Sequence, residues 1–389
     1  MELNKLCQEM EEYLIQTRRY LHRHPELSYD EKETSAFIKK ELNRFGISYE
    51  DVLPGYNIVA TISCGKPGKT VVYRADIDAL PVTEDTGVEY QSCVPGKSHA
   101  CGHDAHVAIA LGVAKILNEK RESLSGTIKI CFQAAEERGG GIFELLDYLK
   151  AFEIDQVVGM HIWSGVPKGE ILLIPGAVFA GSRKLEITIK GQGGHGSRPD
   201  QTTEPIKAAC DLTLKLSSIP SNMYDVFDPC VVSICAINSG NAANIFPNEA
   251  KLLGGVRFFQ PDGGEKIEKK INQIANGVGK IYGVEITVDV QSRWSPIVND
   301  PEAIALARKL VPRIEGLQLC SKEEPCSSTD NFCCLTDTYP GFYAVLGAGN
   351  EAIGCNYIHH HEKFNIDEKA LRKGTEFIAT YLIEYLNGE

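Results

Sequence analysis

Through the first half of the chain, short apolar runs of strand length alternate with helical patterns, and at Arg183 that rule changes. Leu3 to Leu21 and Thr34 to Phe45 repeat apolar residues at helical spacing, and Asp104 to Leu117 is an apolar helix. Tyr56 to Ile62, Thr70 to Tyr73, Thr127 to Phe132 and Gln156 to Ile162 read as buried strands between them. This alternation predicts an α/β domain, a mixed sheet with helices on both faces. From Arg183, Leu185, Ile187 and Ile189 alternate with polar residues, as in a half-exposed antiparallel strand. Helices at Pro205 to Leu216 and Gly264 to Val278 then mix with strands at Val231 to Ala236, Glu249 to Phe258 and Val284 to Val290. After Trp294 the chain returns to helix at Pro301 to Val311 and closes with one from Asp367 to Leu386. An insertion accounts for this most simply: residues 183–294 form an α+β, ferredoxin-like module interrupting a larger domain built from residues 1–182 and 295–389.

With 389 residues, about two domains are expected at roughly 100 to 200 residues each. Forty Lys plus Arg against 52 Asp plus Glu give a net charge of -12. No local basic patch offsets it, so neither nucleic acid nor an anionic membrane is an expected partner. No apolar run approaches the roughly 18 residues that span a bilayer, and the acids in the first residues are unlike a secretory leader. Thirteen cysteines, odd in number and without a C-x-x-C, fit reduced thiols in a cytoplasm.

Candidate chemistry concentrates in four segments. In HACGHDAH (99–106), Cys101 and His103, one glycine apart, can turn a thiolate and an imidazole toward one point if the segment is a loop entering a helix. The same residues suit equally a helix start with Asp104 as polar cap and a buried Cys. FQAAEER (132–138) follows a core strand, so Glu136 and Glu137 stand where α/β sheets place ligands. A divalent cation would relieve their repulsion by binding one carboxylate, freeing the other to take a proton from a water whose pKa the ion lowers toward about 7. An exposed acidic pair at a helix start is the plainer alternative. GMHIW (159–163) puts His161 at a third strand end, and HHHEKF (359–364) offers three further histidines before the last helix.

Together RADIDALP (74–81), HACGHDAH, FQAAEE, GMHIW, GQGGHGSRPD (191–200) and the H-x-x-x-F from His360 to Phe364 resemble the N-acyl-amino-acid amidohydrolase branch of the aminoacylase and carboxypeptidase metallopeptidases. That branch includes hippurate hydrolases and the plant enzymes that cleave indole-acetyl amino acids. The resemblance runs from HRHPE (22–26) to the last helix. It implies two divalent ions, zinc or manganese with nickel or cobalt also compatible, bound by Cys101, His103, Glu137, His161 and His360. It makes Glu136 the base. It implies that the inserted module is a lid that also forms a homodimer. His195 of that module would help polarise the scissile carbonyl, often in the partner's site, and Asn244 and Arg257 would bind the substrate carboxylate. A dipeptidase or carboxypeptidase is the close rival, and a binding protein without chemistry the distant one. Departures from the family pattern are Ala134 for Pro, Arg138 for Gly, TDNF (329–332) for S-E-D-F, and Glu362 for Pro.

Overall fold

A computed structural model describes residues 2–52, 56–222, 225 and 227–388. The chain forms two compact units, one of residues 1–176, 298–324 and 334–389, the other of residues 177–297 and 325–333.

The first unit is built on an eight-stranded mixed sheet, in the spatial order Ser48–Asp51, Ile58–Ser63, Ser125–Gln133, Lys66–Asp76, Gln156–Pro167, Gly341–Gly349, Glu170–Leu172, Gln318–Leu319. Its four central strands run parallel, which requires both faces to be covered. Gly341–Gly349 accordingly reads as an unbroken buried run rather than an alternating one. Helices Glu11–Arg23, His103–Lys120 and Lys369–Asn387 pack together against this sheet. His103–Lys120 is buried almost all round, and this explains its weak amphipathic pattern. The N-terminal helical pattern is two helices, Glu2–Glu9 and Glu11–Arg23, broken at Met10.

The second unit has the β-α-β-β-α-β order of a ferredoxin-like module. Its antiparallel sheet runs Cys230–Ser239, Glu249–Phe258, Gly181–Lys190, Glu285–Trp294. Leu185, Ile187 and Ile189 face helices Pro205–Leu216 and Gly263–Tyr282, burying Leu212, Leu216, Ile267 and Ile271. Each such side chain contributes roughly 1.5–3 kcal/mol of transfer free energy. This unit begins at Ala177, six residues before the change of pattern, and takes in residues 325–333 from the returning segment. Backbone bonds explain that: Ala180 N donates to the carbonyls of Cys326 and Ser328, and Cys326 N to that of Val178. Main-chain pairing of this kind leaves no mark in side-chain periodicity.

Candidate metal centre

The carboxyl ends of the parallel strands carry the site. The Lys66–Asp76 strand ends in Asp76, with Asp78 just beyond; Ser125–Gln133 runs into Glu136 and Glu137; Gln156–Pro167 carries His161. Gly102, at φ +89°, starts helix His103–Lys120 and lets Cys101 and His103 stand side by side. A Cβ on Gly102 would meet Ile162 Cγ2 at 2.8 Å, so only glycine fits there. Asp104 is not the cap of that helix. It is fully buried against Arg18 Nε at 3.1 Å and His22 Nδ1 at 2.7 Å.

Donor atoms of Cys101, His103 and His161 lie within 4.8 Å of one another, as do those of Cys101, Glu137 and His360, and those of His103, Glu136 and Glu137. These sets share members, so six side chains surround one small volume. Within this set the two buried imidazoles, His161 and His103, are oriented from behind. His161 Nδ1 donates to the Ile162 carbonyl at 2.7 Å and leaves Nε2 facing Cys101 Sγ at 3.6 Å. His103 Nδ1 faces Asp78 at 3.1 Å, which leaves Nε2 toward Glu137. Hydrogen bonding at the far nitrogen fixes tautomer and direction in metal-binding histidines. His106 serves the scaffold: its Nε2 accepts the Ile162 N–H and its Nδ1 meets Asp76, itself paired with Arg74.

The three C-terminal histidines now separate. His359 is spent on structure, with Nδ1 donating to the Cys101 carbonyl at 3.2 Å and the ring against Trp163. His361 accepts from Lys363 N and stacks on Tyr357. His360, in a left-handed conformation at φ +68°, puts Nε2 3.4 Å from Glu137 Oε1. Among the described residues, the only other non-glycines at positive φ are Tyr29 and Ala135. Ala135 directly precedes Glu136, and the Tyr29 hydroxyl lies against Gly140 of the same turn. Left-handed backbone costs roughly 1–2 kcal/mol per non-glycine residue and collects at functional sites.

Electrostatics fit a cation. Burial, with the Glu137 carboxylate adding to it, pushes the Cys101 thiol well above its usual range, so a thiolate there needs a positive partner. Burial and the neighbouring His106 and His359 hold His161 well below the usual imidazole range, the neutral state a ligand requires. Glu137 Oε1 is buried with the His360 and His103 Nε2 atoms at 3.4 and 3.9 Å, neither in good hydrogen-bond geometry, a gap that a metal would fill. The donor set of thiolate, imidazoles and carboxylates suits zinc-like ions.

His195, Asn244 and Arg257 belong to the second unit. His195 is exposed on a two-stranded ribbon opposite Ile245, and Gly196 N donates to the Asn244 carbonyl, so His195 and Asn244 sit on one ribbon made from two distant segments. His195 Nδ1 accepts the Ser197 N–H at 3.1 Å, leaving Nε2 as the protonated nitrogen. Arg257 is half-buried, and its Nη1 donates to the Val256 carbonyl. Burial and the adjacent Arg293 lower its pKa.

Sequence reading missed Asp78, Glu31 and Asn57, which hold the metal-site segments in place. Asp78 stands in the RADIDALP motif; the other two carry no local signal. Asn57 Oδ1 accepts the Ala134 N–H at 2.8 Å, a bond that the family's usual proline could not make.

A cluster of metal donors with a spare carboxylate at the carboxyl edge of a parallel sheet defines a metal-dependent hydrolase. The model of peptidase family M20/M25/M40 matches residues 72–384, and the chain belongs to this family. It is 36% identical over 391 residues to thermostable carboxypeptidase 2 of Saccharolobus solfataricus, covering 99% of this chain and 98% of that relative. It is 33% identical over 372 residues to an N-acetylcysteine deacetylase of Bacillus subtilis, covering 94% and 95%. A Bacillus subtilis crystal structure described as a dinuclear metal binding peptidase superposes with a TM-score of 0.87 at 30% identity, over 98% of this chain and 100% of that one.

Proposed function

We propose that the protein hydrolyses the amide bond of N-acyl amino acids, giving a carboxylic acid and a free amino acid. The observation that carries this is the convergence of Cys101, His103, Glu137, His161 and His360 around one volume with Glu136 beside them. Those five residues act as ligands of two divalent ions, zinc or manganese, with nickel or cobalt compatible. The ions would supply Lewis acidity at the scissile carbonyl and lower the pKa of the attacking water. Glu136 takes the proton from that water and delivers it to the leaving amine. By the resemblance, His195, whose Nδ1 accepts from Ser197, would offer its Nε2–H to a developing oxyanion, often in the partner subunit's site. Asn244 and Arg257 receive the substrate carboxylate, and for Arg257 support comes from a half-buried cation opposed by the charge of Arg293.

A homodimer through the second unit is part of the same proposal. Its outer strand Cys230–Ser239 pairs on one side only and exposes Val231 and Ile237, an edge open to a second copy. Cys7, Cys64, Cys101 and Cys131 carry free thiols, in keeping with a reducing cytoplasm, and among the described residues no helix is long and apolar enough to cross a membrane. The thermostable carboxypeptidase relative favours a second reading, cleavage of short peptides.

Hydrolysis rates over N-acetyl, N-benzoyl and dipeptide substrates, with manganese or zinc added, separate the two. Glu136→Gln is expected to lose turnover by about 100-fold or more while retaining metal, measured by elemental analysis of the same sample. A fully active Glu136→Gln enzyme would refute the assigned base.

A further inference from the structure

Ala135 holds the strained residue immediately before the Glu136–Glu137 pair, at φ +58° and ψ 32°. Its backbone is tied at both ends. Gly140 N donates to its carbonyl at 2.7 Å, and its own N–H donates to Glu31 Oε1 at 2.7 Å. Glu31 comes from a distant part of the chain and is fully buried. It occupies the N-cap position of helix Lys32–Phe45 yet makes no side-chain cap bond. That task falls to Glu26, whose carboxylate accepts the N–H groups of Glu33 and Thr34 at 3.2 and 2.8 Å. Helix capping therefore does not explain the Glu31 carboxylate. A buried acid is costly unless something uses it, and its other oxygen has no partner.

We infer that Glu31 is a positioning residue for hydrolysis: by holding the Ala135 N–H it locks the left-handed turn that aims Glu136 at its water and Glu137 at the metal. Glu137 is fixed in parallel, because its N–H donates to Asp78 Oδ2 at 3.1 Å, and the same oxygen accepts from Ser28 Oγ at 2.7 Å. Ser28 and Glu31 lie on one short loop, so a single segment braces both carboxylates. Burial and nearby Asp78 push Glu31 up to about 8, so a neutral amide is a fair replica of its side chain.

The inference rests on Glu136 being the base, and the test separates the two. On the fastest substrate of the panel above, Glu31→Ala is expected to lower kcat about 10–100-fold with KM within threefold, the usual range for groups that orient a metal site. Glu31→Gln, which keeps an acceptor for Ala135, should recover kcat to within about threefold of wild type. Ala135→Gly added to Glu31→Ala should also raise kcat, about threefold or more, because glycine takes a left-handed backbone without strain. A merely structural role would lower the yield of folded enzyme without that rescue pattern. Cobalt titration followed by absorption gives a readout independent of turnover: Glu31→Ala should weaken cobalt binding about tenfold. If wild type hydrolyses nothing in the panel but Glu31→Ala still weakens cobalt, the substrate reading fails and the bracing role stands. Unchanged kcat and cobalt affinity in Glu31→Ala, or a Glu31→Gln enzyme as impaired as Glu31→Ala, overturns the inference.

Discussion

The Arg257 guanidinium donates to its own chain at Val256 and feels the repelling charge of Arg293, and an anion bound there would relieve that repulsion. A charge-assisted bond to a substrate carboxylate contributes about 1.5–3 kcal/mol, so Arg257→Met should raise KM for free-acid substrates about 10–100-fold. Substrates amidated at that carboxylate should be unaffected. Initial-rate kinetics on matched acid and amide pairs check this, and equal losses on both would remove Arg257 from recognition. The histidines mark how far single residues can be read. Among His359, His360 and His361 the resemblance picks His360 by its spacing to Phe364, and the contacts give the physical difference: His359 and His361 are tied to backbone while the His360 ring lies beside Glu137.

Helices Glu11–Arg23 and His103–Lys120 are joined by buried charge rather than by apolar contact alone. Asp104 meets Arg18 and His22, while Arg18 also reaches Glu368 at 3.0 Å beside the last helix, Lys369–Asn387. Against the opposing effect of burial, Arg18 and His22 hold the Asp104 carboxyl well below the usual carboxylate range. A carboxyl depressed in the folded state stabilises above its unfolded pKa, near 3.9, and loses that contribution as pH falls toward its folded value. Asp104→Asn should therefore cost about 3 kcal/mol at pH 7 and flatten the loss of stability below about pH 4. Urea unfolding of wild type and variant at pH 3, 5 and 7 measures both, and parallel pH curves would contradict it. Elements with a period are visible in sequence: Glu249–Phe258 and Pro205–Leu216 appear as expected. The central strand Gly341–Gly349 was not foreseen: its sequence GFYAVLGAG carries three glycines, a residue depleted from strands, around a short apolar run.

On the scale of the whole molecule, the donors around Glu137 and Cys101 are a liability without a cation. Chelation should lower the thermal midpoint by several degrees, and added manganese or zinc should restore it, since a ligand at 100 times its Kd contributes about 2.7 kcal/mol. Differential scanning calorimetry before and after metal removal tests this; an unmoved midpoint would mean that these side chains bind no ion. Much of the molecule could be read from the chain alone. Hydrophobic period pointed to the α/β unit and the inserted α+β module, and the sequence motifs offered Cys101, His103, Glu136, Glu137 and His161 as candidates, because both are local properties of neighbouring residues. Tertiary structure alone decided that residues 325–333 belong with the second unit and that Glu31 and Asp78 brace the paired carboxylates. Those are contacts between residues far apart in the chain in which at least one partner is a backbone group that every amino acid carries, and composition and periodicity hold no trace of them.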